Sequence, residues 1–218
     1  MQRTVLLGTL FFALSSYALK AQTDWEERLN KDSIKVYTRN LPNKKFLEVK
    51  ASTTITASLH SLIALIKSVD DMSSWMVNFT ANELLETKGF WQQISYHEVH
   101  VPILQNRDVI LEVSVKENQQ DNSLLIDMHA LPDYLPETKN KSRIKELKGS
   151  WYCQAQGNGR IYVEYSLYLD PGKNIPSWLY NSRIKNDPYN TLRNIKEMVK
   201  KEDFKQARYV ELSVQDQD

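Results

Sequence analysis

The sequence predicts an α+β fold, a curved antiparallel β-sheet wrapped around a long C-terminal α-helix. Three observations carry this reading. From residue 82 to residue 170 the apolar residues recur with a period of two, in runs broken by turn residues. Ser177 to Lys201 then shows apolar residues at helical spacing. No linker, repeat or low-complexity stretch divides the 218 residues, so one main domain is expected. A terminal helix with an apolar stripe finds cover most economically inside a strongly curved sheet.

In chain order, residues 24–31 predict a short helix with Asp24 as its N-cap. Ile34 to Arg39 alternates and predicts a strand; Pro42 and Asn43 mark a turn before a second strand from Phe46 to Ile55. Ser58 caps a helix whose Leu59, Leu62, Ile63, Leu65 and Ile66 fall on one broad face, and residues 70–77 extend it as a second short helix. Strands are predicted over 82–87, 90–101, 107–117, 123–131, 142–155 and 160–170. Gly89, Gln105-Asn106, Gln120-Asp121-Asn122 and Gly157-Asn158-Gly159 punctuate them, and short links between sequential strands imply an antiparallel meander. Pro171-Gly172 and Pro176 close the sheet region. The helix from Ser177 to Lys201 is expected to kink or break at Pro188. Residues 205–218 are expected to form a loose polar tail.

The first 21 residues read as a signal peptide. A basic start at Arg3 precedes an apolar run from Val5 to Leu14, with small residues Ser15, Ser16 and Ala18 after it. Cleavage is expected after Ala18 or Ala21, and an uncleaved anchor is the alternative, although Val5 to Leu19 is short of the ~20 residues a span needs. The domain would then run over residues 22–204, in the periplasm or outside the cell. Removal of Arg3 and Lys20 changes the net charge from +1 to −1, with 26 bases against 27 acids. Such a balance speaks against a nucleic-acid partner. One cysteine, Cys153, excludes an intrachain disulfide and a tetrathiolate metal site.

Strand parity assigns faces. Arg107, Val109, Leu111, Val113 and Val115 share one face, as do Ile161, Val163, Tyr165, Leu167 and Leu169. Trp178, Leu179, Ile184, Leu192, Ile195, Met198 and Val199 form the helix stripe. Arg107 therefore points to the apolar side unless it sits at a solvated strand end. A buried arginine needs carbonyls, a carboxylate or an anionic ligand, and Glu98 and Asp127 are the candidate carboxylates.

Several pieces stand in a set order along the chain: Trp25 with Ile34-Lys35-Val36-Tyr37-Thr38-Arg39, then Val49-Lys50-Ala51, Trp75, Asn106-Arg107-Asp108, Arg143-Ile144 and Gly149-Ser150-Trp151. Val163-Glu164-Tyr165, Asp170-Pro171-Gly172, Ile175 through Asn181 and Thr191-Leu192 follow. In their order and spacing, over roughly residues 24–203, the chain resembles the START family of lipid-transfer domains. The resemblance implies a helix-grip fold whose sheet grips the C-terminal helix over a hydrophobic tunnel for one lipid, such as a sterol or phospholipid. It also implies that Arg107 faces that tunnel, with residues 101–106 and 176–201 as gate and lid. With the parity above, the expected ligand-contacting set is Arg107, Val109, Leu111, Val113, Val163, Tyr165, Leu167, Trp178, Leu179 and Ile184.

The expected function is non-catalytic lipid binding and transfer, by a monomer that touches a membrane transiently and needs no cofactor or metal. The alternatives are an enzyme acting on a hydrophobic substrate in the same cavity and an envelope module that binds protein. Other chemistries have weaker sequence support. His97 and His100 fall on opposite strand faces, and Asp127 with His129 reads equally as a surface pair. Cys153 has no base assigned by motif, Gly157-Asn158-Gly159 is a hairpin turn, and Lys196 to Lys205 alternates bases with acids like a solvated helix face.

Overall fold

The computed structural model describes residues 24–172 and 175–214. The signal peptide expected over residues 1–21 lies outside the described residues. Strand β1 (Glu26–Lys31) and β2 (Ile34–Arg39) form a hairpin through Asp32-Ser33, both at positive φ (53° and 59°). That is the backbone a two-residue hairpin turn demands. The helix expected over 24–31 is therefore a strand. Six residues are too few to hold a helix alone, and pairing with β2 satisfies their backbone groups instead.

Strand β3 (Glu48–Thr56) pairs with β2 and leads to α1 (Leu59–Lys67). Ser58 caps α1 as expected, its Oγ accepting from the Ser61 N–H at 2.9 Å. A second helix, α2 (Met72–Trp75), follows. Then β4 (Phe79–Lys88), β5 (Gln92–Val99), β6 (Arg107–Asn118) and β7 (Ser123–Ala130) run as a meander. The single strand expected over 142–155 is two. Strand β8 (Ser142–Arg143) runs parallel to the start of β6, and β9 (Glu146–Ala155) pairs with β7 and with β10 (Arg160–Asp170).

The sheet order is β1-β2-β3-β10-β9-β7-β6-β5-β4, with β8 beside β6. Helices α1 and α2 thus carry the chain from β3 to the far edge strand β4, and β10 returns to close against β3. The terminal helix is divided into α3 (Ser177–Arg183) and α4 (Asn186–Met198). The break falls at Ile184-Lys185 rather than at Pro188. A proline ring clashes with the carbonyl four residues earlier, which is that of Ile184, while Pro188 itself sits in the first turn of α4 where no N–H is needed. Helix α4 packs on β2 and β3. Trp151, fully buried, stacks on Tyr165 at 4.2 Å and meets Trp75 edge-on at 5.9 Å.

A short helix α5 (Glu202–Lys205) packs on α1, and the chain beyond it is not loose as far as residue 214. Leu212 and Val214 are buried. The Tyr209 N–H donates to His60 Nδ1 at 3.0 Å, the Val214 N–H donates to Glu117, and the Tyr209 ring lies 5.0 Å from Phe90. Tyr209, Leu212 and Val214 anchor this tract by burial against the core, although its composition reads as polar.

Candidate functional site

The inward residues at one end of the sheet are not covered by packed side chains. They line a cavity of about 430 Å³ between the sheet, α3 and the start of α4. Strand β6 contributes Arg107, Val109 and Leu111; β10 contributes Tyr165, Leu167 and Leu169. These sit together because the start of β6 and the end of β10 lie at the same end of an alternating antiparallel sheet. Met76 to Phe79 form one wall and Val101 to Leu104 another. Trp178, Leu179, Tyr180, Arg183 and Ile184 of α3 and its C-terminus form the cover, continued by Asp187, Pro188 and Thr191.

Eight of the ten expected residues line this space: Arg107, Val109, Leu111, Tyr165, Leu167, Trp178, Leu179 and Ile184. Val113 and Val163 do not. They have the right parity but lie further along their strands, where the core is solid, at 5 % and 0 % exposure. Sequence reasoning missed Asn78, Tyr180, Arg183 and Asp187. Asp187 had a signal: Ile184, Asp187, Pro188 and Thr191 follow the i, i+3, i+4, i+7 spacing of one helix face.

Arg107 is buried, at 2 % exposure, and faces the cavity. Its Nε donates to the Pro171 carbonyl at 3.2 Å and its Nη1 to the Gln105 carbonyl. Neither expected carboxylate serves it. Glu98 pairs with Lys141, and Asp127 pairs with Lys116 at 2.7 Å. Register explains this: Glu98 stands opposite Asp108 and Asp127 opposite Ser114, both on the other face of β6 from Arg107. Burial lowers the pKa of Arg107 from its ordinary value.

Asp108 faces the opposite way and forms a buried ion pair with Arg143 at 2.9 Å. The Arg143 guanidinium also donates to the carbonyls of Pro132 (2.7 Å), Leu135 (3.0 Å) and Pro136 (3.2 Å). It pins the 131–141 loop to the back of the sheet.

The cavity's polar pole is on its cover. Asp187 Oδ2 accepts from Asn78 Nδ2 at 3.2 Å. Burial raises the carboxyl's pKa, opposed by the Arg183 charge and the Asn78 bond. Burial also pushes the phenols of Tyr165 and Tyr180 far up, and Asp187 adds to both. His100 lines the rim, its Nδ1 3.2 Å from Asn106 Oδ1.

His97 is buried away from His100, behind Phe79. With the Asn82 amide turned so that its nitrogen donates to His97 Nδ1 at 2.8 Å, His97 Nε2–H donates to Ser95 Oγ at 2.7 Å. Burial depresses the imidazole to about 4. Cys153 is fully buried and its thiol is pushed up by burial. His129 pairs with Glu112 at 2.7 Å on the outer face. Among the described residues no group of three or more His, Cys, Asp or Glu is placed to hold a metal ion. Among them too, no helix is long and apolar enough to cross a membrane.

Known proteins share this architecture and sequence. An uncharacterized protein of Pseudomonas aeruginosa is 30% identical over 202 residues, covering 91% of this chain and 97% of that protein. The phosphatidylcholine transfer protein of Rattus norvegicus is 27% identical over 170 residues, 75% of this chain and 78% of its own length. The crystal structure of a STAR-related lipid transfer protein from Xanthomonas axonopodis superimposes with a TM-score of 0.76 at 27% identity, covering 81% of this chain and 99% of that one. The START domain model matches residues 9–203, nearly the whole sequence. The chain belongs to the START domain family of lipid-binding and lipid-transfer proteins.

Proposed function

We propose that the protein binds one lipid in this cavity and carries it between membranes after export, with α3 and the 101–106 loop opening as its gate. The observation that carries the reading is the apolar cavity covered in part by these two segments, each with a bare hydrophobic side chain at the rim. Trp178 of α3 is 70 % exposed and Ile103 fully exposed, and both also line the cavity. Ile103 is held at φ 69°, a costly conformation for a β-branched residue. A tryptophan and an isoleucine exposed together at a cavity mouth suit the boundary of a bilayer. Inside, each methylene avoids a cost of about 0.8 kcal/mol for meeting water, so the cavity offsets what a long chain loses on leaving the equally apolar interior of a membrane.

The test combines two measurements. Native mass spectrometry of the protein expressed from residue 22 onward, followed by organic extraction, should find a one-to-one lipid adduct. Transfer of a labelled lipid between donor and acceptor vesicles should fall about tenfold in a Trp178→Ser, Ile103→Ser double variant of unchanged melting temperature. A protein that takes up no lipid and accelerates no transfer refutes the proposal. Fractionation of the source cells, with the protein recovered outside the cytoplasm, tests the export step.

A further inference from the structure

The two segments proposed above as the gate meet at their roots in one side chain. The 101–106 loop runs straight into β6, whose first residue is Arg107. The loop is closed on itself: the Leu104 N–H donates to the Val101 carbonyl at 3.2 Å, and the Val101 N–H to Asn106 Oδ1 at 3.4 Å. Such a loop moves as one piece about its ends. The root of α3 is equally set. Pro171 follows the last residue of β10, and the Gly172 N–H donates back to Asp170 Oδ1 at 2.8 Å, with Gly172 at φ 85°. That turn fixes the direction of the Pro171 carbonyl.

Arg107 bridges the two roots. Its Nε donates to the Pro171 carbonyl at 3.2 Å and its Nη1 to the Gln105 carbonyl, and the side chain is buried. The guanidinium holds its donors in a rigid plane, so the position of one carbonyl sets that of the other. A buried cation also needs its acceptors. When one segment swings out and takes its carbonyl with it, water reaches the guanidinium. The bond to the second carbonyl then competes with water and weakens. We infer that Arg107 is a positioning residue of the gate, a clasp that makes the 101–106 loop and α3 open together rather than singly. The inference rests on the gating read in the carrier proposal.

Native-state amide exchange followed by NMR, on the protein expressed from residue 22 onward, tests this. The reporters are Leu104 in the loop and Tyr180 in α3, whose N–H donates to the Pro176 carbonyl at 3.2 Å. In the unaltered protein both should exchange through one opening, with the same urea dependence. Arg107→Met should speed both about tenfold. Arg107→Lys should do the same, because it keeps the charge and loses the planar pair of donors. Asn106→Ala loosens the loop alone. It should speed Tyr180 where Arg107 is present and leave Tyr180 unchanged in the Arg107→Met background. A response confined to Leu104, or unaltered exchange in Arg107→Lys, overturns the clasp. If the Arg107 variants do not fold, the unaltered protein decides, and unequal urea dependences of Leu104 and Tyr180 overturn it. Transfer of labelled lipid between vesicles keeps the two readings apart. Coupled exchange without transfer overturns the carrier proposal and leaves the clasp, and uncoupled exchange with transfer does the reverse.

Discussion

At Arg107 and Asp108 the alternation of one β-strand sends a cation into the cavity and an anion to the back of the sheet. The inward direction of Arg107 was legible in the sequence, because Val109 and Leu111 share its parity. Its partners were not, since the carbonyls of Gln105 and Pro171 are backbone groups that no residue type announces. Val113 and Val163 show the complementary failure: parity gives a side, but not how far along the strand the cavity ends. His97 illustrates a cost at the same scale. It is neutral when folded, with a pKa of about 4, against about 6.5 when unfolded. The unfolded chain therefore binds the proton first as pH drops. The stability from keeping His97 neutral is complete above pH 6.5 and declines as pH falls toward 4, by about 3 kcal/mol in all. Urea unfolding at a series of pH values should show this decline, and a His97→Gln variant should lack that share of it.

Among the elements, strands with strong alternation were readable and the pieces decided by partners were not. Strand β1 reads as helix until β2 is beside it, because Glu26 to Lys31 has neither β-branched residues nor a clean period. The break between α3 and α4 was legible as an effect of Pro188, but displaced, since the clash acts one turn upstream. The tail after α5 was misread because few of its residues are apolar, yet two of them, Leu212 and Val214, are buried. Burying each contributes up to about 1.5–3 kcal/mol. A chain ending after Lys205 should thus lose a few kcal/mol in chemical denaturation and expose the α1 side of the core to a hydrophobic dye. Unchanged stability would mean that the tail adds nothing to that packing.

In the whole molecule the order of the sheet is sequential except at one long-range seam and at β8, which leaves the path to lie parallel to β6 so that β7 pairs with β9. A meander from β4 to β10 was legible from turn residues, apart from the parallel β8, which reads as one strand with β9; the crossing of α1 and α2 to the far edge was not, because nothing local says which side of a sheet a strand will join. The seam is the antiparallel pair of β3 and β10, in which Thr56 stands opposite Arg160. Those residues are about a hundred positions apart, so the chain must close a long loop before this pairing returns any energy. Refolding should accordingly be slow for the protein's size, in the millisecond-to-second range of sheet-rich topologies, and stopped-flow fluorescence of the stacked Trp151 reports it. A chain delivered from its N-terminus keeps β3 as an unsatisfied edge until the last strand arrives, open to pairing with other chains. Helices α3 and α4 come after that strand in sequence, so the enclosed space is made only once the sheet has closed: folding precedes filling.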